Sequence, residues 1–88
     1  MKIKDIIWTP DRIEHIKSKH GISCEEVEEV CGEGYLVRRG RERRYLIYGQ
    51  TESGRYLLVV LKPESNGKYK VITARDMNDK ERRLYLRR

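Results

Sequence analysis

Residues 44–75, RYLIYGQTESGRYLLVVLKPESNGKYKVITAR, decide the fold, because three candidate strands and two turns follow one another there. The apolar run Tyr56–Leu61 is uninterrupted, which predicts a central strand covered on both faces. The hairpin loop Thr51–Gly54 precedes this run. Pro63–Gly67 follows it and contains Asn-Gly, a strong signal for a tight β-hairpin. We therefore predict an antiparallel meander built around the central run.

Two further strands flank the central run, at Arg44–Gln50 and Lys68–Arg75. Side chains alternate between the two faces of a strand, so each segment divides into two sets. In the first segment, one side carries Tyr45 and Ile47, and the other carries Arg44, Leu46 and Tyr48. In the second segment, one side is predicted to carry Tyr69, Val71, Thr73 and Arg75.

Capping residues predict two helices before this meander. Thr9 is suited to cap a helix that has Pro10 in its first position, and Gly21 can adopt the left-handed conformation that ends it. Ser23 and Glu26 form a capping box that opens a second helix, which runs to about residue 31.

A third helix is predicted at the C-terminal end, where Asn78 and Glu81 repeat the capping pattern. Its docking residues are predicted to be Met77, Leu84 and Tyr85. With short strands at Lys2–Trp8 and Tyr35–Val37, the order becomes β-α-α-β-β-β-β-α. This order predicts an α+β fold in which helices pack on one face of an antiparallel meander sheet. Eighty-eight residues suffice for one core, so we expect a single domain over residues 1–88.

Composition argues against several classes of protein. No apolar stretch approaches the ~18 residues that span a bilayer, and residues 1–8 lack the apolar core of a signal peptide. We therefore expect a cytoplasmic protein with no membrane partner. Cys24 and Cys31 share one predicted helix, with Cα atoms ~10.5 Å apart, which is beyond the reach of a disulfide and unsuited to zinc. We expect core thiols, and no cofactor or metal.

Charge is distributed unevenly along the chain. Residues 1–34 hold five Lys/Arg and eight Asp/Glu, whereas residues 35–88 hold fifteen Lys/Arg and six Asp/Glu. Such an asymmetry favours a basic face that binds a polyanion such as nucleic acid. The alternative is a solvated surface laced with salt bridges.

Five segments, in order along nearly the whole chain, resemble the family of BrnT-type toxins. The family opens with Trp, a helix and Lys-His-Gly-Val-Ser, and later shows two strand motifs and a terminal Glu-Arg-x-x-Tyr helix. Two positions depart from the pattern: Thr9 stands where the family often has Asp, and Cys24 where it often has an aromatic residue. The matching segments are Trp8, Lys19-His20-Gly21-Ile22-Ser23, Arg44–Gly49, Val71–Arg75 and Glu81-Arg82-Arg83-Leu84-Tyr85.

The resemblance implies a RelE/ParE-like fold and cleavage of RNA without a metal ion. It also implies neutralisation by a small antitoxin encoded beside the toxin. Such an antitoxin carries a ribbon-helix-helix DNA-binding domain, so the toxin meets operator DNA only through its partner.

Cleavage of RNA without a metal needs a base for the 2′-hydroxyl, an acid for the leaving oxygen and cations for the phosphate. We hypothesise that Lys19 and His20 lie near the sheet edge and that Arg44 and Arg75 project from strands towards the same cleft. Glu81 and Tyr85 would be added from the last helix. These six residues are the candidate catalytic set.

Each candidate also has a structural interpretation. His20 could cap its helix, where the dipole favours an imidazolium, and Lys19 could lie over apolar surface. Arg44 and Arg75 could form ordinary ion pairs, and Tyr85 could simply dock the last helix. Sequence alone leaves these alternatives open.

A basic run between the predicted strands suits contacts with phosphates, which give affinity but little sequence preference. Its candidate RNA-binding residues are Arg38, Arg39, Arg41 and Arg43. Nearby aromatic residues could stack on unpaired bases, namely Tyr35, Tyr45 and Tyr48. The alternative is a solvated hairpin turn.

Three functions are therefore compatible with the sequence. A ribonuclease toxin would bind and cut RNA. A non-catalytic module on the same scaffold would bind RNA or an antitoxin and cut nothing. A ParE-like toxin would inhibit gyrase.

Overall fold

A computed structural model describes all 88 residues, and its elements follow the predicted order β-α-α-β-β-β-β-α. The first predicted strand is shorter than expected, and Arg38 and Arg39, expected in a turn, belong to a strand. The elements are β1 Asp5–Ile7, α1 Pro10–His20, α2 Cys24–Gly32, β2 Leu36–Arg39, β3 Tyr45–Gln50, β4 Tyr56–Pro63, β5 Lys68–Asp76 and α3 Asp79–Leu86.

The five strands form one mixed sheet in the order β1-β5-β4-β3-β2. Strands β2 to β5 make the predicted antiparallel meander, and β1 joins its edge by pairing in parallel with β5. At the β4–β5 turn, Asn66 and Gly67 both have positive φ angles, 60° and 75°, as a tight hairpin turn requires. The Asn-Gly signal in the sequence is thereby confirmed.

The helices lie on both faces of the sheet, so the expectation that they share one face is wrong. α1 and α2 cover one face, where Ile16, Val27 and Val30 pack against alternate residues of β3 and β4. α3 covers part of the other face, where Tyr85 packs against a separate apolar cluster. The physical reason is that β3 and β4 are apolar on both sides, and each side must be removed from water.

A β-bulge in β5 changes which of its side chains share a face. The pairing shifts between Val60 and Leu61 of β4, so Val71 and Ala74 both point into the core beneath α1 and α2. The prediction that these four alternate side chains of β5 lie on one face is therefore wrong, because the extra residue of the bulge reverses the alternation after it. Tyr69 and Val71 lie on the α1–α2 side, whereas Thr73 and Arg75 lie on the α3 side.

The helix ends are confirmed by their hydrogen bonds. Thr9 Oγ1 accepts from the Arg12 amide at 3.4 Å, and Gly21 has a φ angle of 63° at the C-terminal cap of α1. Ser23 and Glu26 make both hydrogen bonds of the capping box. These local interactions fix where α1 stops, and hence where His20 lies.

Candidate nucleic-acid interface

Between the Gln50–Tyr56 pair and the β4–β5 turn, strand register arranges the α3 side of the sheet in three rows of side chains. The first row lies under or beside α3 and consists of Leu36, Tyr48, Leu58 and Arg75. The second row consists of Arg38, Leu46, Val60 and Thr73. The third contains the cross-strand pair Lys62 and Lys70. We call the second and third rows the open face, because α3 packs on the first row and only Leu46 of the others contacts its cluster.

Two of the predicted site residues, Arg75 and Glu81, form a bidentate ion pair at the border of the open face. The Arg75 Nη1 and Nη2 atoms donate to the Glu81 carboxylate at 2.8 and 2.7 Å. Glu81 Oε1 also accepts from the Asn78 amide at 2.9 Å, so the helix cap and the ion pair share one carboxylate. Hydrogen bonding from Arg75 lowers the pKa of Glu81, and the same bond raises the pKa of Arg75.

Tyr48 lies beside this ion pair and is buried. Burial raises its pKa, and the nearby Glu81 carboxylate raises it further, whereas Arg75 and Arg38 act in the opposite direction. Arg75 and Arg38 are thus both close enough to Tyr48 to influence its phenol. The ring is covered and does not offer the stacking surface considered from the sequence.

His20 and Lys19 lie at the end of α1, on the opposite side of the sheet from α3. Lys19 is exposed and makes no ion pair, and the half-buried His20 ring packs edge-on against His15 with centroids 5.9 Å apart. Hydrogen bonding from Arg55 lowers the pKa of Asp76, and the nearby His20 lowers it further. His20 therefore meets the end of β5 next to Arg75, while the two side chains reach it from different faces.

Arg55 joins the elements around the end of β5, although no sequence pattern predicted a role for it. Its guanidinium donates to Asp76 at 2.8 and 3.0 Å, and to the main-chain oxygens of His20 and Gly21 at 3.0 and 2.8 Å. It also lies 3.4 Å from the Glu26 carboxylate. The only local signal was a cation placed immediately before a six-residue apolar strand. Its four partners come from three distant segments, which no local pattern reveals.

Arg44 lies apart from Arg75, so the structure does not bring these two predicted residues into one cluster. Arg44 precedes Tyr48 by four positions along the chain, a separation of ~13 Å in an extended strand. Its Nη2 atom is 3.6 Å from Glu42, and its buried Nε atom has no hydrogen-bond partner. A cleft of about 400 Å³ beside it is lined by Arg39, Gly40, Arg43, Arg44, Tyr45 and Pro63.

The basic turn between β2 and β3 is held in an uncommon conformation. Glu42 and Arg43 have φ angles of 56° and 62°, a region that side chains other than those of Gly, Asn and Asp seldom adopt. The exposed Arg38, Arg41 and Arg43 surround this turn, and the guanidinium of Arg39 lies 5.7 Å from the centre of the Tyr45 ring. The four predicted RNA-binding arginines therefore form one basic edge of the sheet.

The remaining aromatic candidates are engaged in packing. The Tyr85 ring is buried, its hydroxyl donates to the Gly34 oxygen at 3.4 Å, and Arg88 lies 3.7 Å above the ring. The Tyr35 hydroxyl donates to the Met1 oxygen at 2.8 Å, and Tyr45 packs edge-on against Tyr69. Docking of the last helix by Met77, Leu84 and Tyr85 is confirmed.

The two cysteines are free; Cys31 is buried in the core as expected, whereas Cys24 is half-buried and lies outside it, so the core assignment is wrong for Cys24. Burial raises the pKa of Cys31 to about 12, and burial with the neighbouring Glu25 raises the pKa of Cys24. Both thiols are therefore protonated near neutral pH and are poor nucleophiles. No group of three or more His, Cys, Asp or Glu is placed to hold a metal ion. None of the helices has both the length and the apolar character needed to cross a membrane.

Fold and site together define a small α+β protein with an open, cationic sheet face. Residues 8–81 match the model of the family described as the ribonuclease toxin BrnT of type II toxin–antitoxin systems, and the chain belongs to this family. Membership places it among ribonuclease toxins and implies a cognate antitoxin as partner.

A solved structure has the same fold. The crystal structure at 1.1 Å resolution of the ribonuclease toxin BrnT from Brucella abortus is similar, with a TM-score of 0.72 and 21% sequence identity. The match covers 85% of this chain and 97% of the Brucella chain. No curated protein matches the sequence.

Proposed function

We propose that this chain is a metal-independent endoribonuclease that binds RNA on the open face and cuts it beside Arg75. One observation carries the proposal: a sheet face left uncovered by α3 bears Arg38, Lys62 and Lys70, and no carboxylate lies in its two rows. Such a face attracts the phosphates of a polyanion. Family membership supports RNA as that polyanion.

Arg75 is the proposed phosphate-binding residue at the cut. Glu81 engages one edge of its guanidinium, yet the Arg75 side chain stays 41% exposed and can meet a phosphate. Stabilising charge that develops on a phosphate is the usual role of such a cation. Glu81 positions Arg75 and is a poor proton acceptor, because its pKa is lowered and both of its oxygens already accept hydrogen bonds.

His20 is the proposed proton-transfer group, with Lys19 beside it as a further cation. An imidazole can accept a proton near neutral pH, and the His20 side chain has no hydrogen-bond partner in the protein. Its location is supported by Arg55, which donates both to the His20 main-chain oxygen and to Asp76, the neighbour of Arg75. Tyr85 is proposed to act through its hydroxyl, which donates one long hydrogen bond of 3.4 Å to the Gly34 oxygen.

The basic edge at the β2–β3 turn is proposed to hold the RNA backbone. Arg38, Arg39, Arg41 and Arg43 contribute charge there, and Arg44 adds a guanidinium whose Nε atom lacks a partner. Contacts of this kind give affinity with little sequence preference.

The proposed antitoxin is a small protein with a ribbon-helix-helix DNA-binding domain and an acidic segment that covers the open face. Opposite charges would speed the encounter and block access of RNA. The toxin would then contact operator DNA only through this partner.

Incubation of purified protein with a labelled RNA in excess EDTA tests the proposal. Arg75→Gln is the informative variant, because Gln can still donate a hydrogen bond to Glu81 while losing the charge. We expect the unmodified protein to cut RNA without added metal, and Arg75→Gln and His20→Ala to cut at least tenfold more slowly. Lys17→Ala, an exposed cation on α1, serves as the matched control.

Three results would contradict parts of the proposal. Binding of RNA without cleavage, with or without Mg²⁺, would make the chain a non-catalytic binding module. Cleavage only with Mg²⁺ would refute metal independence. Full activity of both site variants, with unchanged melting temperatures, would refute the assignment of Arg75 and His20.

A further inference from the structure

Lys62 and Lys70 lie directly opposite each other on neighbouring strands of the open face. Side chains in such a pair start about 5 Å apart, and like charges placed this way destabilise a sheet. Neither ammonium group makes an ion pair or a hydrogen bond with the rest of the protein. The fold therefore keeps two uncompensated cations together in the third row.

A third cation belongs to the same row. Arg44 immediately precedes β3, whose first residue, Tyr45, pairs with Leu61. Continuing the register by one position sets Arg44 opposite Lys62, on the side of Leu46 and Tyr48. Its Nε atom is buried without a partner, and its one ion pair, to Glu42, is 3.6 Å long with a carboxylate that is 76% exposed. Three positive side chains thus cross three adjacent strands.

Glu42 and Glu64 lie in the two turns at that end of the sheet, and the exposed Asp5 of β1, opposite Lys68 in the register, makes no ion pair. Glu42 pairs with Arg44 alone, and Glu64, exposed in the β4–β5 turn, makes no ion pair. Neither neutralises Lys62 or Lys70. A group that brings these three cations together is dianionic or polyanionic, and a phosphodiester backbone has that chemistry.

We infer that Arg44, Lys62 and Lys70 form a second phosphate subsite, distinct from Arg75, that holds the same RNA strand at a different phosphate. Lys70 and Arg75 are five positions apart on β5, ~13 to 16 Å between their Cα atoms with allowance for the bulge. The Arg75 guanidinium is held by Glu81 of α3, so we assign the two residues to different phosphates. The inference rests on the proposed function, because it takes the ligand at Arg75 to be RNA.

The side chains between the two subsites indicate how the strand is recognised. Thr73, Val60 and Arg38 of the second row lie between them, and no aromatic ring is free on the open face for stacking on bases. A backbone held by cations at both ends, without stacking, is bound with strong salt dependence and weak sequence preference.

Equilibrium binding of a 2′-O-methyl RNA oligonucleotide, which cannot be cut at its sugar hydroxyls, measures the subsite without catalysis. Lys62→Gln and Lys70→Gln are compared with Lys17→Gln, at several salt concentrations. Each subsite substitution is expected to reduce the slope of log affinity against log salt by roughly 0.7, the value for one phosphate contact with a single strand. Lys17→Gln should leave the slope unchanged.

Thermal stability separates loss of a contact from loss of fold. Removing one charge of a like-charged pair relieves repulsion, so both variants should melt at the same temperature as the unmodified protein or higher. A mere structural role for these lysines would lower it. Relative to the unmodified protein, KM for cleavage of an RNA long enough to span both subsites should rise in both variants.

The outcomes test the phosphate subsite separately from the proposed ribonuclease activity. Equal salt slopes for the subsite variants and the unmodified protein would overturn the subsite, even if RNA is cut. Failure of the unmodified protein to cut any RNA would overturn the proposed ribonuclease activity, and reduced slopes would still support the subsite. Reduced slopes that Lys17→Gln matches would mean general charge attraction and would also overturn it.

Discussion

The β2–β3 turn should become more stable when its two left-handed residues are replaced. Its hydrogen bonds, Gly40 amide to Arg44 oxygen at 2.8 Å and Arg44 amide to Arg41 oxygen at 3.1 Å, match those of the β4–β5 turn. The second turn places Asn-Gly at the positions with positive φ, whereas the first places Glu42 and Arg43 there. The double substitution Glu42→Asn with Arg43→Gly transfers the favourable pair into the same geometry.

The expected gain is the strain released, less two smaller losses. A left-handed conformation costs an ordinary residue about 1–2 kcal/mol, and two residues are relieved. Introducing glycine destabilises the fold by about 0.5–1 kcal/mol, because it increases the conformational entropy of the unfolded chain. Loss of the exposed Glu42–Arg44 pair removes at most about 1 kcal/mol. The net is about 1 kcal/mol of added stability, or roughly 4–8 °C in melting temperature for a chain of this length.

Urea and thermal denaturation measure this gain, with Arg43→Gln as the matched control that removes the charge but keeps the strained φ angle. The control should not gain stability. Arg43→Gln should bind RNA more weakly, because it loses a cation from the basic edge, whereas the Asn-Gly variant loses one cation and one anion and keeps its net charge. An unchanged or lower unfolding free energy in the Asn-Gly variant, with the sheet intact by circular dichroism, would refute the idea that this turn stores strain.

Three other predictions concern the scaffold. Gly49→Ala should lower the unfolding free energy by about 1–3 kcal/mol, since the new Cβ would lie 2.8 Å from Val30 Cγ1; Gly32→Ala, which meets nothing within 4 Å, is the control in urea denaturation. Arg55→Met should cost about 2 kcal/mol, because charged hydrogen bonds to three segments are lost, and a loss below ~0.5 kcal/mol would contradict that role. The pKa values of Asp76 and Glu81 are lowered in the folded protein, so both carboxylates stabilise the fold at a pH above their ordinary pKa values of 3.8 and 4.5. This stabilisation is lost as the pH falls through the folded-state pKa values. Glu81→Gln should therefore flatten the fall in melting temperature below about pH 4.5.

The contacts of Glu81 could be predicted in part from the sequence, whereas those of Arg55 could not. Glu81 was recognisable because a capping box spans four consecutive residues, and the same carboxylate then pairs with Arg75. Arg55 joins segments that are 21 to 35 residues away along the chain. Only the folded sheet brings them within reach, so no local signal could indicate that contact.

From the sequence alone, the helices and strands and most of their ends could be predicted. Helix caps, Asn-Gly and the alternation of apolar residues act within a few positions, and their energies are local; Thr9, Gly21 and Asn66 behave as the sequence indicates for that reason. It also determined that β4 is covered on both faces, since its apolar run leaves no polar side to face water.

Tertiary contacts, and no local sequence pattern, determine which side chains lie together in the site. The bulge opposite Val60 and Leu61 reverses the alternation of β5 and turns Arg75 towards α3, which no run of residues encodes by itself. Sheet register then sets Lys62 against Lys70 and leaves Arg44 far from Arg75. The physical reason is that register and bulges are chosen by the packing of the whole core, because a shift of one residue would move every apolar side chain of a strand to the wrong face.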